Sequence, residues 1–359
     1  MKVAIIGDIH LGSRNDILVL QDAAEDFFKN EFWPTLDRHN IKNILCTGDL
    51  FDRRKYINFN TLFRSHEYLF SEMESRGVHM DIIPGNHDVT YKNTNKVNSL
   101  SLLLDRYIKE GIVTLFHDPV VQKYDTMDIG FVPWMNEENY DQCVGFIRDN
   151  SHLPLLIGHF EMSGIEMLSG VKSEHGLSTE LFRDYEQVIS GHFHTPSING
   201  NIWYPGSPLE FTWADYGQSK GFVILDTETR EYTKQETKAR MFHKVFYDDT
   251  NDFQLKKDRT GFPDLKGKFV KIIVRNRSSR TKFESWMTDL YERGKPYDVT
   301  IIDTNIDMNL TEEEMRIETL STMEIIESTI DNMIVDVSKN DLKRLFHDLY
   351  NESLQMETM

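Results

Sequence analysis

Val3-Ala4-Ile5-Ile6-Gly7-Asp8-Ile9-His10 begins as an apolar, β-rich run and ends abruptly in a glycine, a carboxylate and an imidazole. The same grammar recurs along the chain. Ile44–Cys46 leads into Gly48-Asp49-Leu50-Phe51-Asp52, and Ile82–Ile83 into Gly85-Asn86-His87-Asp88. Leu155–Ile157 leads into Gly158-His159, and Val188–Ile189 into Gly191-His192-Phe193-His194. Glycines at such points let the backbone turn sharply and come close to a ligand. If the chain stays extended beyond each strand, alternation points Asp8 and His10 to one side, and His192 and His194 likewise.

Working outward, further β-rich runs occur at Val113–Phe116, Ile129–Val132 and Phe222–Leu225. Helical patterns lie between the early runs, from about Ile17 to Leu36 and from about Leu62 to Met73. The second carries Leu62, Phe63, Leu69, Phe70 and Met73 at helical spacing. A β-α-β start followed by hairpin-like strands predicts an α/β domain with mixed sheets over residues 1–235. Open sheets of this kind place their sites at strand ends, where all five motifs fall.

Composition narrows the class. A chain of 359 residues with 39% hydrophobic and 11% aromatic residues has material for real cores. No apolar stretch reaches the roughly 18 residues of a membrane span, so no membrane partner is expected. The opening apolar run is too short for a secretory signal. Cys46 and Cys143 have no paired spacing, which argues against a disulfide framework or a zinc knuckle and fits a cytoplasmic setting. The net charge of −18 argues against a general nucleic-acid coat, but the charge is uneven. Residues 240–302 carry 14 Lys/Arg against 9 Asp/Glu, whereas residues 303–359 carry 4 against 14.

Each motif alone has a plain reading as a surface pair or a turn, since Gly and Asn are turn residues. Five of them in order, each after an apolar run, are a donor set. The set offers carboxylate, imidazole and amide without thiolate, which suits Mn²⁺ or Fe²⁺ better than structural zinc. Seven donors are too many for one ion and suit two, about 4 Å apart, as in two-metal phosphoryl transfer. His175, in a polar loop between the last two motifs, is a weaker candidate for substrate contact.

The ordered set Asp8-x-His10, Gly48-Asp49-x-x-Asp52, Gly85-Asn86-His87-Asp88, Gly158-His159 and Gly191-His192-x-His194 resembles the calcineurin-like metallophosphoesterases. Their fold is a mixed β-sheet sandwich flanked by helices. Within that family, Tyr204-Pro205-Gly206-Ser207-Pro208-Leu209 and the appended C-terminal region resemble the SbcD-type (meiotic recombination eleven) DNA-repair nucleases, and phage-encoded members most of all. A phage origin would make the setting the host cytoplasm. The resemblance implies two divalent ions, Mn²⁺ first, with Mg²⁺ or Fe²⁺ as alternatives. Asp8, His10 and His194 would hold one, Asn86, His159 and His192 the other, and Asp49 would bridge them. His87 would position the scissile phosphate and protonate the departing sugar oxygen, a role suited to an imidazole. Asp88 would orient His87 in a dyad or serve as a turn residue. Asp52 stands where many archaeal and eukaryotic relatives carry histidine, which bears on the balance of exonuclease and endonuclease action.

The resemblance also implies partners: DNA, an SbcC-type coiled-coil ATPase, and a second copy of the chain within a heterotetramer. Residues 240–302 would form a small α+β capping domain on DNA, using Lys271, Arg275, Arg277, Arg280 and Lys282 around the strand-like run Phe269–Val274. The plain alternative is a solvated strand edge whose cations discourage aggregation. Residues 306–359 would form a helical segment for the ATPase. Thr311-Glu312-Glu313-Glu314 reads as a capping box, and Leu342, Leu345, Phe346, Leu349 and Tyr350 as an apolar stripe at spacings of three and four. Two other functions remain in view at this stage. One is a phosphodiesterase or phosphatase acting on a small molecule or a protein; the other is an inactive scaffold for DNA and partner.

Overall fold

The computed structural model describes residues 1–168, 170–250, 262, 265–303, 330, 338–340 and 342–346. The chain divides into two compact units. The first comprises residues 1–211 and 217–239, the second residues 212–216 and 240–359.

The first unit is two six-stranded sheets, face to face, with helices on their outer sides. In the first sheet the strands Lys2–Ile6, Asn43–Cys46, His79–Ile82 and Val113–Leu115 run parallel in that order. Gly221–Asp226 then pairs antiparallel with Lys2–Ile6, and Glu231–Glu236 antiparallel with Gly221–Asp226. In the second sheet Met127–Val132, Leu155–His159, Gln187–Gly191 and Ile202–Tyr204 are parallel neighbours. Val120–Tyr124 and Ser197–Asn199 close its two edges antiparallel. The expected α/β class with mixed sheets is the observed one.

Alternation along the strands builds the layers. Val3 and Ile5 face the second sheet and pack with Ile129, Phe131, Leu155, Ile157 and Ile189. Ala4 and Ile6 face the other way, toward Phe27, Phe28, Phe32, Trp33 and Leu36. The outer side of the second sheet, with Leu156, Val188 and Tyr204, packs on Cys143, Ile147, Phe160 and Phe182. Strands buried on both faces read as unbroken apolar runs, which is why they were legible in the sequence.

The first predicted helix is one continuous rod, from Leu18–Phe27 through Phe28–Phe32 to Trp33–His39. Its middle turn is a wider π turn placed just before Pro34, whose ring would clash with the carbonyl of Asn30 in a regular helix. The rod stops at Asn40, which adopts a left-handed conformation with φ 53°. The second helix runs from Phe59–Ser65 through a similar wide turn, His66–Phe70, to Ser71–Arg76. Asn58 caps it by accepting from the N–H of Asn60.

The second unit holds a parallel three-stranded sheet, Phe242–Asp248, Phe269–Asn276 and Asp298–Asp303, with Phe269–Asn276 in the centre. The helix Arg280–Asp289 packs on one face of it through Phe283, Trp286 and Met287 against Tyr247, Val270, Ile272 and Val274. The run Phe269–Val274 is therefore not an edge. The plain reading of its flanking cations as edge protection is overturned, because both sides of the strand are paired. Residues 339, 340 and 342–346 are helical, with the Leu342 N–H bonded to the carbonyl of Ser338. A helix thus begins near Ser338. Leu349, Tyr350 and the Thr311–Glu314 capping box lie outside the described residues. Among the described residues no helix is long and apolar enough to cross a membrane.

Candidate metal centre

The five motifs leave the ends of adjacent parallel strands and meet at one edge of the sandwich. The strands Lys2–Ile6 and Asn43–Cys46 end, but the two loops that follow remain zipped together. The N–H groups of Asp8, His10 and Leu11 donate to the carbonyls of Gly48 (3.0 Å), Asp49 (3.1 Å) and Leu50 (2.9 Å). Asp52 N–H returns the bond to the Leu11 carbonyl at 3.1 Å.

These loops are not extended. Asp8, His10, Asp49 and His192 adopt φ of 50°, 47°, 52° and 93°. Left-handed backbone at non-glycine residues is costly and persists only where surrounding bonds over-determine it. This corrects the period-two expectation. Asp8 and His10 do converge, but through left-handed turns rather than strand alternation. His192 and His194 diverge: the first faces Asn86 and His159, the second faces His10. Gly48, at φ 97°, is required by close approach, since a Cβ there would lie 2.7 Å from the Gly85 nitrogen and 2.9 Å from His159 Nδ1.

The donor atoms form two groups around one carboxylate. His194 Nε2 lies 2.9 Å from His10 Nε2, and Asp8, His10 and His194 make a metal-competent trio. On the other side Asn86 Oδ1 lies 2.9 Å from both His159 Nε2 and His192 Nδ1. Asp49 stands between, with Oδ2 3.6 Å from His10 Nε2 and 3.3 Å from His159 Nε2. Asp49 Oδ1 also accepts from the His87 N–H at 2.7 Å. All seven expected donors are brought together. Two further competent trios, His10–Asp49–His87 and Asp8–Asp49–His159, run through Asp49, so position alone also leaves His87 within reach of a cation.

Electrostatics fit a cation at this place. Burial pulls His10 down, yet Asp52, Asp49 and Asp8 outweigh it and raise the ring to about 9. His159 is likewise lowered by burial but raised by Asp49 and Asp8, again to about 9. Burial, then the neighbouring His159, drives His192 down to about 3, and burial with His10 and Lys220 drives His194 well below its ordinary value. The carboxylates thus favour positive charge on His10 and His159, while His192 and His194 are pushed toward the neutral form. Carboxylate, neutral imidazole and amide oxygen are what a divalent ion takes as ligands.

Several supporting residues were not singled out as donors. Asp52 Oδ1 lies 3.1 Å from His10 Nδ1, the second ring nitrogen, in the position from which carboxylates orient metal-ligating histidines. The Thr47 carbonyl does the same for His159 Nδ1 at 2.8 Å. Lys220, fully buried, donates to the His194 carbonyl at 2.8 Å. Trp134 covers His192 with ring centroids 5.4 Å apart. The spacing Asp49-x-x-Asp52 was the available signal for Asp52; nothing local marks Lys220 or Trp134.

The dyad role expected of Asp88 is contradicted. Asp88 Oδ2 accepts from the backbone N–H groups of Asp49 (2.8 Å) and Gly85 (2.9 Å), and Oδ1 from that of Phe51 (3.3 Å). It is a fully buried brace between two motif loops. All three of its described bonds go to backbone amides, and none reaches His87. The group 2.6 Å from His87 Nδ1 is the Asp52 carbonyl, which only accepts. The ring therefore carries its proton on Nδ1 in the neutral form, with Nε2 as the remaining atom. His175 belongs to none of the donor groups; the bonds described for it are backbone contacts with the Ser173 hydroxyl.

The family profile of the calcineurin-like phosphoesterases matches residues 1–206, the span that carries every one of these donors. The chain belongs to this family. As a phosphoesterase it has relatives of defined name. It is 30% identical over 363 residues to exonuclease subunit 1 of Enterobacteria phage T4, covering 99% of this chain and all of the relative. It is 25% identical to the SbcD component of the SbcCD nuclease of Staphylococcus epidermidis, over 64% of this chain and 67% of that one. The corresponding component from Staphylococcus saprophyticus is 23% identical over 65% and 67%. The family inferred from the motifs is the family found, and a metallophosphoesterase requires divalent metal.

Proposed function

We propose that this phosphoesterase is a two-metal DNA nuclease, acting on duplex ends and internally in recombination, repair or end processing, and that it works as one component of a larger complex. What carries the reading is the split of the donors into Asp8–His10–His194 and Asn86–His159–His192 about the single carboxylate Asp49. Those two trios would each hold one ion, Mn²⁺ in preference, with Asp49 shared. Ions held there would supply an activated water and charge stabilisation on the phosphate. The names of the relatives, an exonuclease subunit and two nuclease subunits, favour DNA over a small phosphoester.

The chain's own residues do the rest. His87, fixed through Nδ1 on the Asp52 carbonyl, presents Nε2 to the phosphate; the imidazolium form gives its Nε2 proton to the leaving sugar oxygen and returns to the neutral Nδ1–H ring. Burial lowers its affinity for protons, which makes the protonated ring a stronger acid. Asp52 and Thr47 orient His10 and His159. Residues 240–302 act as the cap on DNA through Lys271, Arg275, Arg277, Arg280 and Lys282. Two of these are partly committed: Arg277 pairs with Asp303 at 3.0 Å and Arg280 with Glu284 at 2.7 Å.

The partner is a coiled-coil ATPase of the SbcC type, received by residues 306–359. Leu345 and Phe346, 55% and 39% exposed on a helix, are unspent apolar surface in that segment. Phe59 and Phe63, 85% and 64% exposed one turn apart, offer a face for a second copy of the chain in the phosphoesterase unit. The deciding experiment incubates manganese-loaded protein with linear duplex DNA and with a small phosphomonoester. Loss of duplex DNA, blocked by chelation, is expected. Turnover of the monoester alone would transfer the protein to the phosphatase reading.

A further inference from the structure

In the second unit two lysines sit side by side where no described acid answers them. Lys244 and Lys271 are direct partners in the register of the strands Phe242–Asp248 and Phe269–Asn276. Like charges placed directly opposite on one sheet face destabilise it. Both side chains are half-buried, and among the described residues neither has an ion pair or a side-chain hydrogen bond. Burial and the adjacent Lys244 both push Lys271 below its ordinary range.

The pair is held by aromatic rings. Lys271 Nζ stands 4.4 Å from the centre of the Trp213 ring, and Lys244 Nζ 4.7 Å from that of Tyr216. Trp213 is itself packed on Phe242, at 5.0 Å, and Phe242 stacks on Phe269 at 4.9 Å. Alternation assigns Phe242, Lys244 and Phe246, with Phe269, Lys271 and Ile273, to the face opposite the helix Arg280–Asp289. That helix covers Tyr247, Val270, Ile272 and Val274. Arg275 adds a third cation, 4.1 Å over the Phe246 ring. Thr300, next in register beyond Lys271, is exposed, so the lysines are reached from solvent. Cation–π contact offsets part of the charge repulsion and fixes the positions of the ammonium groups. It leaves their N–H donors for an anion.

We propose that Lys244 and Lys271, seated on Tyr216 and Trp213, form a rigid docking point for adjacent phosphates of a DNA backbone. This rests on the nuclease reading and names where the cap meets its substrate. The lysines occupy the ring faces, so the site reads phosphate rather than bases and is indifferent to sequence. Each phosphate contact contributes about 0.9 to the slope of log affinity against log salt. Losing both lowers the slope by about 1.8. Over a rise from about 50 to about 200 mM salt, the wild type then loses roughly tenfold more affinity than the variant.

The test measures binding of the manganese-loaded full chain to a phosphorothioate duplex that resists hydrolysis, across that salt range. Lys244→Gln with Lys271→Gln is expected to flatten the slope by nearly two units, and Lys244→Arg with Lys271→Arg to restore it. Lys29→Gln with Lys109→Gln removes the same net charge from helices of the first unit and is expected to leave the slope unchanged. The thermal unfolding midpoint and circular dichroism of the glutamine variant should match the wild type, which certifies its fold. A wild-type slope in the glutamine variant, with DNA still bound and cut, overturns the docking point and leaves the nuclease reading standing. Wild-type protein that turns over the small diester but neither binds nor cuts DNA overturns both.

Discussion

Asp88→Ala is expected to damage the centre by unfolding its frame rather than by removing a reacting group. The carboxylate is fully buried and accepts three backbone N–H bonds, from Asp49, Gly85 and Phe51. Alanine leaves all three donors buried without an acceptor, at about 1–3 kcal/mol each. Allowing for partial relaxation, the phosphoesterase unit should lose about 3–6 kcal/mol, a large share of the roughly 5–15 kcal/mol that holds a domain folded. Asp88→Asn keeps one oxygen for the Asp49 and Gly85 amides and gives up only the longer Phe51 bond, so about 1–2 kcal/mol is expected. Urea unfolding of metal-depleted protein, followed by circular dichroism, gives both numbers, with loss of bound manganese tracking the loss of fold. Had Asp88 been the partner of His87, the two variants would slow turnover alike at unchanged stability. An alanine variant that unfolds within about 1 kcal/mol of the wild type would refute the brace.

Asp49→Ala should abolish activity more completely than loss of any other donor, and elemental analysis should find fewer than two tightly held ions; two retained ions would end the bridging assignment. His87→Asn should keep metals and DNA affinity while slowing turnover about 100-fold or more. A missing ion in that variant would make His87 a ligand, as its proximity to His10 and Asp49 permits. Asp52→Ala should weaken manganese binding by about 10–100-fold through loss of the carboxylate that orients His10, and titration calorimetry at an unchanged melting temperature separates this from misfolding. Truncation after Asn305, and separately Phe346→Asp with Leu349→Asp, should leave metal binding intact and abolish co-purification with the ATPase. Full-affinity capture by the truncated chain would place that docking surface elsewhere.

The sequence determined by itself that there are parallel strands, and where. Val3–Ile6, Ile44–Cys46 and Leu155–Ile157 are buried on both faces, so apolar character there is continuous and needs no partner to be recognised. It also determined the donor set, because carboxylate, imidazole and amide after a glycine at a strand end are local facts. Short edge strands such as Val120–Tyr124 and Ser197–Asn199 escaped it, being half-exposed and mixed in composition. Residue spacing alone misplaced which donors share a side; the family resemblance implied the division, and the tertiary structure supplies its physical cause. His192 and His194 are two apart in the chain yet face different trios, because the left-handed turn at His192 breaks the alternation. Asp88 could be assigned only once its three amide partners were in place, two of them 37 and 39 residues away. Asp52, Lys220 and Trp134 acquire their roles in the same way. Their effect on the centre runs through atoms brought near by folding, and residue type and spacing carry no record of that proximity.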